Sequence, residues 1–318
     1  MNKIGGYFEL DLRKGAEYHQ GAIRLNSGRN AFEYILLAKK YKKVYLPSYI
    51  CEVMLEPIDK LNLAYEFYNI NEQLEPVFNY NRIGEDETFL YTNYFGIKGQ
   101  LLKKLSIECR NLIIDNSQAF FESPIPQIDT FYSPRKFFGV PDGAYLFTNQ
   151  LLKIQLLHDK SFSRFSHLIK RIDEGAEEGY DDFKTNDTSL NGQPIKKMSK
   201  LTQALLCNID YSKAIKIRKR NFQFLHEHLQ YSNELILNEV YDYKPMVYPY
   251  LTAKGNILKQ KLIQNKIFIA TYWSNSENWG NKNLYEEYLF QNLLPIPIDQ
   301  RYTIKAIKTV LELINHYE

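Results

Sequence analysis

Short apolar runs separated by helical stretches fill the first half of the chain, and this alternation constrains the fold most. Residues 31–40 and 101–109 have the apolar spacing of helices that bury one face. Parallel strands need such crossover helices between them. The pattern therefore predicts an α/β fold whose sheet is mostly parallel and flanked by helices. The runs that read as strands are residues 43–47, 63–68, 87–93, 111–115, 129–132 and 144–148.

The second half of the sequence has a different pattern. Residues 175–193 are rich in Gly, Asp and Asn and predict a loop, and residues 198–229 predict one long helix. We therefore expect a large domain at 1–205 and a smaller α+β domain at 206–318, with roughly the first 20 residues packing on the smaller one. The elements expected after the long helix are a strand at 246–250, a helix at 257–264, a strand at 267–270 and a C-terminal helix at 304–317.

Charge and cysteine usage exclude several classes of protein. The 318 residues carry 40 basic and 37 acidic side chains, a balance that argues against a nucleic-acid binder. The sequence shows no run of 18 apolar residues and no signal peptide, so we expect neither membrane insertion nor export. Cys51, Cys109 and Cys207 are far apart, which fits a reducing cytoplasm. The six histidines lack the spacing of metal ligands, and no metal site is predicted.

The first candidate site is Ser27-Gly28-Arg29-Asn30, which precedes a predicted helix. A helix N-terminus presents free N–H groups and a positive dipole end, so it suits a phosphate. Gly28 would let the backbone approach that group closely. The alternative is an ordinary helix cap, because Ser and Asn are common capping residues.

The second candidate is Asp115, which ends the apolar run that begins at Asn111 and is followed by Asn116-Ser117-Gln118. Ligands in α/β proteins lie beyond the carboxyl ends of parallel strands, so an acid there is often functional. The alternative is an Asx turn or a cap for the following segment.

The third candidate is Lys136, in the segment Ser133-Pro-Arg135-Lys136. Phe137 and Phe138 follow, so the neighbourhood is expected to be buried, and burial lowers the pKa of a lysine as Schiff-base chemistry requires. An acid at a strand end followed by a lysine on the next connection suits pyridoxal phosphate: the amine takes the aldehyde and the carboxylate keeps the pyridine nitrogen protonated. A solvated surface pair is the alternative, and a guanidinium here also suits a phosphate.

Taken in order, these segments resemble the DegT/DnrJ/EryC1/StrS family, the fold-type-I pyridoxal phosphate enzymes that include sugar aminotransferases. Each segment is weakly specific, but they occur in the family's order between Asn26 and Tyr302. The segments that carry the resemblance are 26–30, 46–49, 93–96, 113–119, 136 with 142–144, 198–204 and 294–302.

The resemblance implies a homodimer with a shared active site, in which a large domain carries pyridoxal phosphate and a small C-terminal domain closes over the substrate. It implies transfer of an amino group from an amino acid, glutamate in our interpretation, to a nucleotide-linked keto-sugar for polysaccharide or glycan biosynthesis. Lys136 would carry the cofactor and move the proton, Asp115 would bind the pyridine nitrogen and Gln118 would lie near the ring. The phosphate would be held by Gly28, Arg29, Asn30 and Ser133.

The phosphate-binding residues depart from the family's pattern. Arg29-Asn30 stands in place of Thr-Ala, which brings a guanidinium to the phosphate. The serine usual five residues before the lysine is Phe131, so we assign that role to Ser133. Residues 193–197 lack the asparagine that reaches the partner's phosphate, and Lys196 or Lys197 would substitute for it.

Two other departures leave alternatives open. Cys51 stands where the family often stacks an aromatic residue on the cofactor, so Tyr49 or another aromatic residue would take that role. Residues 272–275 line the substrate pocket or pack in the small domain. A sugar dehydratase on the same fold would have a histidine in place of Lys136, and a catalytically reduced scaffold or sensor is the third hypothesis.

Overall fold

One eight-stranded sheet organises the first half of the chain in this computed structural model, which describes residues 4–237, 243–273 and 284–318. Its strand order is β1-β8-β7-β6-β5-β2-β3-β4. The predicted α/β class with a mostly parallel sheet is confirmed. The strands are β1 Ile23–Leu25, β2 Lys43–Pro47, β3 Ala64–Ile70, β4 Pro76–Val77, β5 Glu87–Thr92, β6 Leu112–Asp115, β7 Asp129–Tyr132 and β8 Ala144–Phe147.

Helices cover the sheet and continue into the second half. The helix α1 packs on β7 and β8, and its buried residues Phe32 and Ile35 join the cluster that fills the space beneath β2 and β5. The helices are α1 Gly28–Lys39, α2 Leu55–Lys60, α3 Gly99–Glu108, α4 Ser166–Asp173, α5 Tyr180–Ser189, α6 Lys200–Cys207, α7 Tyr211–Leu229, α8 Gly255–Gln264, α9 Leu284–Asn292 and α10 Ile304–Tyr317.

Strand direction decides which loops meet. The strands β2, β3, β5, β6 and β7 run parallel, and β8 is antiparallel to β7. Because β1 is antiparallel to β8, it runs in the same direction as β7. The carboxyl ends of β1, β2, β5, β6 and β7 and the amino end of β8 therefore lie along one edge of the sheet.

A second, two-stranded sheet belongs to the C-terminal half, and it corrects one prediction. The expected strand at 246–250 exists as β9 Val247–Leu251, but its antiparallel partner is β10 Leu293–Pro297. Residues 267–270 form no strand. Lys266 has a φ of +63°, which turns the chain after α8, and Ile269 packs into the core from irregular backbone.

Two further predictions about the connection between the halves were wrong. The expected loop at 175–193 contains α5, whose first turn carries Asp181 and Asp182 at the end of the helix that favours negative charge. The Lys170 Nζ atom of α4 lies 2.7 Å from Asp182 Oδ2. The expected single helix at 198–229 is broken into α6 and α7, since the side chain of Asp210 caps α7 by accepting from Lys213 N at 2.9 Å.

The described residues include no helix long and apolar enough to cross a membrane. Within the same ranges no group of three or more His, Cys, Asp or Glu side chains is placed to hold a metal ion.

The segment before β1 is fixed to the large sheet by buried polar side chains. Glu17 accepts a hydrogen bond from Tyr145 Oη at 2.8 Å. His19 donates from Nε2 to the carbonyl of Phe120 at 2.6 Å, and its ring lies 4.0 Å from that of Tyr132. Burial lowers the pKa of His19 to about 4, and the bond to the Phe120 carbonyl opposes this shift.

We expect His19 to make the protein less stable in mild acid. Its pKa in the fold lies below the ordinary 6.5, so between about pH 6.5 and 4 only the unfolded chain gains a proton. The free energy of unfolding should fall by roughly 3 kcal/mol more in the wild type than in His19→Gln over that interval. Urea unfolding at pH 7 and pH 4 measures this, with His228→Gln, an exposed position on α7, as the control. An equal loss of stability in wild type and His19→Gln would contradict the assignment.

Candidate active site

Six chain segments meet at the edge of the sheet where the parallel strands end. Their alignment follows from strand register, because Leu25 pairs with Ala144 and Asp115 pairs with Phe131. Side chains that are far apart in sequence are therefore placed along one edge of the sheet. The segments are 26–29 after β1, 48–49 after β2, 93–96 after β5, 116–118 after β6, 133–136 after β7 and 142–143 before β8.

Asp115 ends β6 and is only 6% exposed. Its Oδ1 atom accepts from Ser117 N at 2.7 Å, which is the Asx turn considered above. Burial raises the pKa of this carboxyl, while the positive charge of Lys136 and the hydrogen bond from Ser117 oppose the rise. The two residues singled out from the sequence are thus close enough to interact electrostatically.

Lys136 itself is exposed, so the expectation of a buried lysine was wrong. It ends a short 3-10 turn, Pro134–Lys136. The phenylalanines that follow, Phe137 and Phe138, are buried in the core, and their apolar side chains are the reason why the sequence predicted a buried segment. The lysine is left on the open side of the turn, where its amine is accessible to a ligand.

Gln118 carries a buried donor that the fold does not satisfy. Its Oε1 atom accepts from Phe95 N at 2.8 Å, which fixes the amide against the turn after β5. Its Nε2 atom has no hydrogen-bond partner among the described residues, although the side chain is only 1% exposed. Leaving such a donor unpaired costs about 1–3 kcal/mol, so the site is suited to a ligand oxygen.

The N-terminus of α1 forms the predicted cap. Ser27 Oγ accepts from Asn30 N at 3.2 Å and donates to Asn30 Oδ1 at 2.6 Å. Asn30 also donates from Nδ2 to the carbonyl of Gln193 at 2.9 Å, so its side chain is already engaged within the protein. The N–H groups of Gly28 and Arg29 lie in the first turn, where a helix offers them no acceptor.

Two arginines lie near this helix end. Arg29 is 6% exposed and donates from Nη1 to Glu56 Oε2 at 2.8 Å and to Asn191 Oδ1. Arg135, two residues after the buried Ser133, donates to Asp187 Oδ1 at 3.0 Å. Burial lowers the pKa of Arg135, Asp187 opposes the shift, and the charge of Arg29 adds to it. Each guanidinium is held by side chains from outside the six segments.

Tyr49 is completely buried and lies among aromatic rings. Its ring lies 5.9 Å from that of Tyr94 in a stacked arrangement and 4.8 Å from that of Trp273. Its hydroxyl donates to the carbonyl of Tyr272 at 2.8 Å. The described part of 272–275 therefore packs against the large sheet, and residues 274–275 lie outside the described ranges.

Proteins of known structure share this architecture at low sequence identity. No family model and no curated protein matches the sequence. DesV from S. venezuelae, solved in complex with a ketimine intermediate, is 14% identical to this chain, and the two structures superpose with a TM-score of 0.68. The match covers 93% of this chain and 84% of DesV. A DegT DnrJ EryC1 StrS aminotransferase from Brucella abortus is 12% identical, with a TM-score of 0.62 and coverage of 93% and 85%.

NtdA from Bacillus subtilis, solved with bound cofactor PMP, gives a TM-score of 0.66 at 14% identity, with 93% of this chain and 72% of that one covered. The chain has the fold of these enzymes. The fold-type-I architecture expected from the sequence is confirmed, with its mostly parallel sheet and its smaller C-terminal sheet.

This fold-type-I chain also uses buried residues that were not assigned a role from the sequence. Asp142 is completely buried and accepts from Ser199 N at 3.0 Å, from Ser199 Oγ at 2.8 Å and from Thr202 Oγ1. It thereby fixes the start of α6 against the segment before β8. Asn26 is equally buried, and its carbonyl accepts from Gly143 N at 2.7 Å. Both residues lie in segments that carry the family resemblance, but the sequence assigned neither a role, because their hydrogen-bond partners are distant in sequence.

The segment proposed to replace the missing asparagine runs beside β1, where Lys197 forms an antiparallel bridge with Leu25. Lys196 N donates to Asn26 Oδ1 at 3.1 Å, and its Nζ atom lies 3.4 Å from Asp159 Oδ1. Lys197 is exposed. The Lys196 ammonium is thus engaged within its own chain, and Lys197 is the residue of the pair that is accessible to another molecule.

Proposed function

We propose that this protein is a pyridoxal phosphate-dependent aminotransferase of the DegT/DnrJ/EryC1/StrS family that acts on sugars. The observation that carries the proposal is the buried Asp115 within electrostatic reach of the exposed Lys136, at the edge of the sheet where ligands of α/β proteins bind. The shared fold and the cofactor named for NtdA support it.

The residues present fit the cofactor. The unpaired Nε2 donor of Gln118 supplies a partner for an oxygen of the ring system, and Asp115 supplies the acid for the pyridine nitrogen. The phosphate would lie at the N-terminus of α1, against the free N–H groups of Gly28 and Arg29. Asn30 and Ser133 would line the same region, and Tyr49 would support the site through its aromatic neighbours.

When bound, pyridoxal phosphate supplies a ring that accepts the electrons left when the amino acid loses its α proton. Asp115, as the carboxylate, would keep a proton on the pyridine nitrogen. Lys136 would hold the cofactor through its amine, and its free amine would take the proton from the α carbon of the amino donor. We propose glutamate as donor and a nucleotide-linked keto-sugar as acceptor, for polysaccharide or glycan biosynthesis. We place the reaction in the cytoplasm, consistent with the three free cysteines.

An absorbance titration tests this function. Purified protein mixed with pyridoxal phosphate should develop a band at the visible–ultraviolet edge, and glutamate should bleach it. A band that glutamate leaves unchanged would mean another donor or another reaction. Absence of any band would contradict the enzyme proposal and favour the scaffold.

Arg29 provides a test of the phosphate site. We expect Arg29→Gln to raise the Kd for pyridoxal phosphate about 10-fold, because a charge-assisted hydrogen bond to a phosphate contributes on the order of 1.4 kcal/mol. Fluorescence titration of both proteins measures this. Arg82→Gln is the matched control, since Arg82 is exposed and pairs with Glu66 on β3. A Kd within twofold of the wild type would show that the Arg29 guanidinium does not bind the phosphate, and would leave the site to the backbone N–H groups.

We also propose a homodimer that shares the active site. The segment 151–183 and the N-terminal residues expose twelve large apolar side chains, and we infer that a second subunit covers some of them. The exposed Lys197 is our candidate for reaching the partner's phosphate. The apolar residues concerned are Ile4, Tyr7, Phe8, Leu10, Leu151, Ile154, Leu157, Phe162, Ile169, Ile172, Tyr180 and Phe183.

A further inference from the structure

A buried arginine in the second half of the chain makes contact with the lysine segment. Arg218, on α7, is only 2% exposed. Burying a guanidinium is costly unless its donors are satisfied, so the atoms that accept from it are informative. Asp299 is near enough to act on it electrostatically but forms its hydrogen bonds with Arg301.

Two of the contacts of Arg218 lead to Phe137, the residue that follows Lys136. Arg218 Nη2 lies 3.5 Å from the carbonyl oxygen of Phe137, and its guanidinium carbon lies 4.6 Å from the centroid of the Phe137 ring. Arg218 Nε donates to Gln300 Oε1 at 3.0 Å, and Gln300 Nε2 donates to the same Phe137 carbonyl at 2.8 Å. Two side chains from the second half thus hold the residue that follows the lysine.

A further acceptor, the carbonyl of Met246, connects Arg218 to Gln118 through a series of hydrogen bonds. Arg218 Nη1 donates to the carbonyl of Met246 at 2.9 Å. Met246 N donates to the carbonyl of Phe95 at 2.8 Å, and Phe95 N donates to Gln118 Oε1 at 2.8 Å. The backbone at Phe95 is held at a φ of +56°, so this turn depends on its neighbours for its shape.

We propose that Arg218, assisted by Gln300, is a positioning residue that holds Lys136 and Gln118 in fixed relation to each other. The guanidinium approaches the segment that carries the amine directly, at the Phe137 carbonyl, and it reaches the turn that orients the Gln118 amide through the backbone of Met246. We call this set of contacts made by Arg218 and Gln300 the clamp. Its relevance to catalysis rests on the proposed function, whereas the clamp itself is present in the protein without cofactor.

Hydrogen exchange on the cofactor-free protein tests the clamp directly. In Arg218→Met we expect the backbone amides of 134–140 and 93–97 to exchange at least about 10-fold faster than in the wild type, because both segments lose their anchor. Arg220→Met is the matched control, since Arg220 lies on the same helix and bonds to Asn221 and the Tyr302 carbonyl. In Arg220→Met the backbone amides of both segments should exchange at the wild-type rate.

Cofactor binding gives a second measurement that is not activity. Arg218→Met should raise the Kd for pyridoxal phosphate and shift the pH midpoint of the Lys136-dependent band, and Arg218→Lys should restore part of both. Gln300→Leu removes the hydrogen bond to the Phe137 carbonyl and the acceptor of Arg218 Nε, but it leaves the other contacts of Arg218, so it should have the same effects at smaller size. If Arg218→Met does not fold, Gln300→Leu decides the question.

Uniformly faster exchange along the chain, with an unchanged Kd and pH midpoint, would reduce Arg218 to a structural residue and overturn the proposal. So would unchanged exchange at 134–140 in Gln300→Leu. If the wild type forms no Lys136-dependent band, the proposed function fails, but the exchange experiment still decides whether the clamp exists.

Discussion

Lys136→Ala is expected to eliminate the absorbance band with pyridoxal phosphate and to slow amino transfer by about 10⁴-fold or more. The amine is both the attachment point and the proton carrier in the proposed reaction, and general acid–base catalysis alone contributes about 10²–10⁴-fold. Because Lys136 is exposed, its removal breaks no packing, and only the loss of its charge near Asp115 should slightly lower the free energy of unfolding. Loss of the band would therefore not reflect loss of the fold.

The matched control for this substitution is Lys98→Ala. Lys98 also follows one of the parallel strands, but its ammonium pairs with Glu75 at 3.2 Å rather than acting on Asp115. The control should keep the band and its bleaching by glutamate. A band of full height in Lys136→Ala would show that the cofactor is held elsewhere and would end the assignment of Lys136.

Asp115→Asn is expected to have opposite effects on activity and on stability. An amide cannot hold a proton on the pyridine nitrogen as a carboxylate does, so we expect turnover to fall by about 10³-fold. The cofactor-free variant should nevertheless be more stable at neutral pH. Asparagine Oδ1 can still accept from Ser117 N, and the buried charge is gone.

The pH dependence follows from the direction of the pKa shift. Burial raises the pKa of Asp115 in the fold, so its favourable contribution is present in acid and is lost as the pH rises through the folded pKa. At pH 7 the ionised carboxylate opposes folding. We expect Asp115→Asn to melt roughly 1–3 °C above the wild type at pH 7, with the difference vanishing near pH 3. Thermal denaturation at the two pH values measures this.

Asp142→Asn is the contrasting control. Burial also raises the pKa of Asp142, but its two oxygens accept three hydrogen bonds from Ser199 and Thr202. An amide NH₂ would face a donor there, so this variant should be less stable at pH 7. If Asp115→Asn were also less stable, or if it retained turnover, the carboxylate would have a structural role instead.

The sequence by itself determined the features that depend on neighbours along the chain. Apolar runs bounded by turn residues located the strands of the large sheet other than the short edge strands β1 and β4. The end of one run placed Asp115 at a carboxyl edge. The same local reasoning found the Ser27 cap and put Lys136 on the connection that follows β7. These features can be predicted from a single sequence because strand periodicity and helix capping depend on residues only a few positions apart.

Only the tertiary structure decided the features that depend on distant partners. Residues 267–270 read as a strand, yet β9 pairs with 293–297, because sheet pairing depends on which apolar surfaces meet and not on local propensity. Lys136 is exposed because Phe137 and Phe138, which follow it, fill the adjacent part of the hydrophobic core. Arg218 is 81 positions from the Phe137 carbonyl that it approaches. A buried charge is recognisable only when its acceptors are known, and folding alone brings those acceptors to it.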